Sequence, residues 1–134
     1  MSLDVNNTNR SYLWGRLLAV ADALENATYS FGKDGSKEDV RPTNARRLFD
    51  AFVSRPYQTW NTLYRSLNPY IIKLSSDDKT KGTCIYYTKL INQIIGMFEH
   101  QQFMDNSKLS PEYLHAYSCQ LNEIYTKNKK ENQE

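Results

Sequence analysis

A chain of 134 residues can bury one core without disulfides or metals, and 17 bases against 15 acids leave a formal charge of only +2. Apolar residues make up 40% and the mean hydropathy is −0.71, with no run near the roughly 18 apolar residues of a membrane span. The first ten residues lack the charged-then-apolar layout of a secretory signal, so the expected setting is the cytoplasm, with no membrane partner.

Residues 1–8 are polar and Asn-rich, a flexible N-terminus by expectation. A helix begins near Asn9, with Thr8 or Asn9 as cap. Leu13, Leu17, Ala21 and Leu24 recur on one stripe, widened by Leu18 and Val20. Gly15 costs about 1 kcal/mol against Ala in such a helix and signals close approach of another backbone. The pattern fades by Tyr29, and residues 30–42, with two glycines and mixed charges, read as a long loop.

Thr43 or Asn44 caps a short second helix whose apolar face is Ala45, Leu48, Phe49 and Phe52. Asp50 stands one turn beyond Arg46, where it would take up part of that charge. Pro56 stops this helix and opens the next. In the third helix Trp60, Leu63, Tyr64, Leu67, Ile71 and Leu74 form the apolar stripe, while Arg65, Pro69 and Lys73 face away. An outward Pro69 predicts a bent but continuous helix. After the loop at 75–83, Tyr87, Leu90, Ile91, Ile94, Ile95 and Phe98 mark a fourth helix. A second loop, 99–109, leads to Ser110-Pro-Glu112, a strong helix start. The fifth helix carries Leu114, Tyr117, Leu121, Ile124 and Tyr125 on its apolar face. The expected fold is therefore all-α, a compact bundle of about five amphipathic helices, with one domain over 9–126 and a charged flexible tail over 127–134.

Catalytic groups do not converge in this pattern. His100 and His115 stand apart, HExxH is absent, and Gly32 and Gly35 lack the spacing of a phosphate loop. Cys84 and Cys119 fall in apolar helix patterns, away from any disulfide or metal spacing. The expectation is a protein that is not an enzyme and holds no cofactor or metal. Two binding signals remain. Between Arg41 and Lys73 there are six bases and one acid, Asp50, a balance of +5 that exceeds the whole chain's charge. Arg41, Arg46, Arg47, Arg55, Arg65 and Lys73, joined by Lys79, Lys81 and Lys89, are the candidate phosphate contacts. The other signal is aromatic: Tyr12, Trp14, Tyr57, Tyr70 and Tyr86 would anchor protein partners if exposed.

SYLWGRLLAV at 11–20, RPTNA at 41–45 with Phe49, and LNPYIIKL at 67–74 resemble the C-terminal region of the large subunit of type I-C CRISPR Cascade complexes. The likeness continues through the 87–98 helix with Lys89-Leu-Ile91 and ends at Tyr117 and Ile124-Tyr-Thr-Lys127. The resemblance implies either the helical small subunit made from an internal start in the large-subunit gene or the matching C-terminal piece of the large subunit, which would read the same. It implies a non-catalytic role in antiviral defence, holding target DNA and chiefly the displaced strand of the R-loop through backbone contacts. Its implied partners are the backbone and large Cascade subunits, further copies of itself and, indirectly, the crRNA, whose pairing reads the sequence. A scaffold with little DNA affinity of its own is the alternative. Arg16 is family-matched within GRLLAV, its role open between packing and DNA. Where the family often carries Tyr-His-Gln-Arg-Gln, this chain has Ser118-Cys-Gln-Leu-Asn122, so contacts made there do not carry over.

Overall fold

Asn9 caps the first helix as expected, its Oδ1 accepting the N–H groups of Ser11 at 2.9 Å and Tyr12 at 3.3 Å. The computed structural model describes residues 3–32 and 43–132, and the side chains of these except 29–32, 100, 101 and 127–132. In chain order the elements are α1 (Arg10–Gly32), α2 (Asn44–Arg47), α3 (Phe49–Ser54), α4 (Pro56–Ser75), α5 (Lys81–Gly96), a 3-10 turn (His100–Met104) and α6 (Glu112–Asn132). No strand occurs among the described residues, and the chain is an all-α bundle.

α1 is the axis, not one amphipathic face among five. Every residue from 11 to 25 is buried, because α2, α4, α5 and α6 all pack on this helix. Tyr12 and Trp14 are therefore core side chains, at 3% and 0% exposure, and not surface anchors. Trp14 stacks on Phe103 with centroids 5.1 Å apart and meets Phe98 edge-on at 5.2 Å.

The tightest approach is that of α6 to α1. A Cβ added at Gly15 would lie 2.2 Å from the Tyr113 carbonyl oxygen, 2.8 Å from Ala116 Cβ and 2.9 Å from the Tyr117 nitrogen. The expected close approach at Gly15 is real, and it fixes which face of α6 turns inward. Tyr113, Ala116, Gln120 and Ile124 are buried, whereas Leu114 and Tyr125 are largely exposed. The inward face is turned from the expected one by about one residue's 100° step, because small Ala116 must lie against Gly15.

Residues 43–55 form two short helices, not one. Leu48, at φ −93° and ψ 4°, separates α2 from α3. Arg55, at φ −145° and ψ 73°, leaves the helical region, which a residue before proline disfavours, and Pro56 begins α4. α4 runs unbroken through Pro69, which is exposed. Trp60, Leu63, Leu67 and Leu74 are buried as their spacing predicts, but Tyr64 is 48% exposed and only leans on Trp60 at 5.7 Å. Phe49 and Ile71 are half-buried.

Thr80 closes the next turn by donating from Oγ1 to the Leu74 carbonyl at 2.6 Å. α5 then buries Cys84, Tyr87, Ile91 and Ile94. Both cysteines are buried and unbridged. The following connection is pinned rather than draped. The Leu109 N–H reaches the Val53 carbonyl at 2.9 Å, the Ser110 N–H reaches Ser11 Oγ at 2.9 Å, and Arg10 donates to the carbonyls of Asp105 and Ser107.

Candidate nucleic-acid interface

Thr43 organises the start of the basic segment. Its Oγ1 accepts the Arg46 N–H at 3.1 Å, capping α2, and donates to Asp22 Oδ1 at 2.5 Å. Asp22 is fully buried on α1 and also accepts from the Tyr117 hydroxyl at 3.0 Å and from Arg46 Nε at 3.3 Å. One carboxylate thus ties α1, α2 and α6 together. Burial opposes ionisation of the Tyr117 phenol, as does the Asp22 charge, and both hold its pKa well above the ordinary tyrosine range. Beside this network the Asn44 N–H donates to Glu25 Oε2 at 2.7 Å. The other oxygen of Glu25 is buried with no hydrogen-bond partner among the described residues, and burial raises the carboxyl's pKa.

The candidate cations separate into kinds once placed. Arg41 lies outside the described residues. Arg46 forms an ion pair with Asp22, so its formal charge is cancelled by α1 and not by Asp50. Burial works against the charge on Arg46, but Asp22 and Tyr117 together outweigh it and the pKa rises. Arg47, beside it, is exposed, as are Arg55 at the α3–α4 break and Arg65 on the outer side of α4. Lys73 lies in the last turn of α4, about 27 Å along that helix from Arg55 at 1.5 Å per residue. Lys79 occupies the α4–α5 turn, Lys81 begins α5, and Lys89 lies further along it, all exposed.

Among the described residues only Arg10 and Arg46 form ion pairs, which leaves these seven cations open to an external anion. They do not gather into one cleft. Arg47 and Arg55 flank α3; Lys73, Lys79 and Lys81 crowd the α4–α5 corner, where Asp77 and Asp78 dilute them; Arg65 and Lys89 stand on outer faces. Exposed Tyr64 precedes Arg65, and exposed Ile72 precedes Lys73.

Arg16 belongs to none of these groups. It is 4% exposed, donates from Nε to Gln120 Oε1 at 2.8 Å and from Nη1 to Met97 Sδ at 3.6 Å, and burial lowers its pKa. Sequence reasoning passed over Asp22, Glu25 and Gln120. Asp22 and Glu25 fall four and seven residues after Leu18, off the main apolar stripe but in register with that leucine, and an acid in that register is the signal that was available. Among the described residues no three His, Cys, Asp or Glu side chains converge as a metal site requires. No described helix is long and apolar enough to cross a membrane.

The family model described as CRISPR-associated protein (Cas_Csd1) matches residues 1–125. No curated protein matches the chain.

Proposed function

Because the chain belongs to the CRISPR-associated Cas_Csd1 family, a component of the type I-C Cascade complex, we propose that it serves there as the small, non-catalytic subunit. In this reading it works in the cytoplasm. It lies beside the backbone and large subunits and further copies of itself, and steadies target DNA and the displaced strand of the R-loop. The guide reads sequence by pairing, so the subunit needs only charge and shape.

The observation that carries the reading is the set of exposed cations free of ion pairs among the described residues, above all Arg47, Arg55 and Arg65. Arginine's planar fork meets two phosphate oxygens at once, which suits backbone contact without base readout. Lys73, Lys79, Lys81 and Lys89 add positive charge along α4 and α5. Arg46 serves a different purpose: held by Asp22, it fixes α2 so that Arg47 projects outward.

The test is mobility shift of the isolated chain with single- and double-stranded DNA across a salt series. The expected result is sequence-independent binding that weakens steeply with salt. Arg47→Ala combined with Arg55→Ala should flatten the log–log slope by about 0.7 per lost contact on single strands. No shift at high micromolar protein, or an unchanged slope, removes the DNA reading. That outcome favours a protein scaffold, for which exposed Ile72 and Ile85, at 57% and 56%, are the motivating feature.

A further inference from the structure

A recess of about 340 Å³ opens between the N-terminal segment, α1, α5 and α6, and Arg16 lines it. A guanidinium carries five N–H donors. Two are engaged, one by Gln120 and one by the weak acceptor Met97 Sδ, which leaves three without a partner among the described residues. Among the described residues no carboxylate lies within ion-pair distance of this buried charge, although Glu123 and Asp4 act on it from further away. Gln120, itself buried and also lining the recess, holds the guanidinium plane in place by accepting from Nε. The remaining wall is largely apolar, built by Leu3, Val5, Tyr86, Leu90, Ile94 and Met97, with Gln93 and Glu123 as its polar members.

From this geometry we infer that the Arg16 recess is a docking socket for a single carboxylate on an apolar stem: an acidic side chain of a neighbouring protein subunit. A buried cation with donors to spare recognises an oxyanion, and a carboxylate accepts two parallel N–H bonds from an arginine fork. The walls decide between anions. An aspartate or glutamate brings methylene groups that Val5 and Leu90 can cover, whereas a phosphodiester brings polar sugars and further phosphates. Glu123 disfavours a polyanion more than a lone carboxylate. None of Arg47, Arg55 and Arg65 lines the recess, so this assignment is independent of the DNA reading.

The experiment follows the Arg16 Nε–Hε resonance of the 15N-labelled full chain by NMR. The titrants are hexanoate, its neutral counterpart hexanamide, and inorganic phosphate. Hexanoate should shift the resonance saturably in the millimolar range, phosphate should bind at least about tenfold more weakly, and hexanamide should leave it unmoved. Glu123→Gln removes the like charge and should strengthen hexanoate binding severalfold. Gln93→Trp, at an exposed position lining the recess, should abolish it while circular dichroism stays unchanged. The inference is overturned by no saturable shift with hexanoate, or by phosphate or hexanamide binding equally well. It is also overturned if Glu123→Gln alone moves the resonance as far as saturating hexanoate moves the wild type, since Glu123 is then the internal counterion.

Discussion

Gly15→Ala separates what a helix prefers from what this fold permits. In an isolated helix the change would stabilise by about 1 kcal/mol. Here the new methyl would stand 2.2 Å from a backbone oxygen of α6 and 2.9 Å from a backbone nitrogen, against the 3.4 Å at which ordinary contact begins. Neither atom can swing aside as a side chain could, so α6 must retreat by about 1 Å along its contact with α1. That retreat loosens Tyr113, Ala116 and Ile124 together, all buried on α1's side. Overpacking of this kind costs about 1–3 kcal/mol, and the upper end applies because the clash is with main chain on both sides. For a chain of this length about 3 kcal/mol lowers Tm by roughly 10 °C. The assay is thermal and urea unfolding followed by circular dichroism at 222 nm. Gly96→Ala is the control: a Cβ there meets nothing within 4 Å, and that change should hold or raise Tm. If Gly15→Ala melts with the wild type, α1 and α6 are not in backbone contact and the description of the core fails.

Two further outcomes test the buried polar network. Tyr117→Phe removes one of three hydrogen bonds to the Asp22 carboxylate and should cost about 2 kcal/mol in urea unfolding; no loss would mean the phenol does not reach Asp22. Glu25 sets a pH dependence, because burial raises its folded-state pKa above the ordinary glutamate range. An acid with a raised folded pKa binds more protons folded than unfolded. Its contribution to stability is complete below the unfolded value and is lost as pH rises through the folded value. Glu25→Gln should therefore gain Tm over the wild type increasingly as pH climbs from 4 towards 7, and a constant difference across that range would contradict the burial argument.

The helices that lie on the outside were legible because one face touches water. α4 and α5 show the 3.6-residue stripe and bury it. α1 was not legible in that way, because a helix surrounded by neighbours has no polar side for periodicity to detect. Arg16, Asp22 and Glu25 look like its solvent face in sequence and are instead its buried polar contacts, each meeting a partner far along the chain. The face of α6 was misjudged for a related reason. Hydrophobicity selects Leu114 and Tyr125, but backbone approach at Gly15 selects the smaller Ala116, and proximity prevailed. The basic segment was visible as charge, yet charge counts do not tell an arginine facing water from one held by a buried carboxylate. Arg46 and Arg47 are adjacent in sequence and differ in that respect.

The pairing of α1 with α6 has a further consequence for how the protein is made. Contacts such as Arg16 with Gln120 and Asp22 with Tyr117 join residues 104 and 95 positions apart. On the ribosome α1 emerges well before its principal cover, so its apolar surface waits, unburied, while the intervening helices are synthesised. Closure over such separations is slow compared with local helix formation. A nascent chain halted before α6 presents this central helix to chaperones and proteases, and the synthesis of α6 is what commits the bundle to its fold.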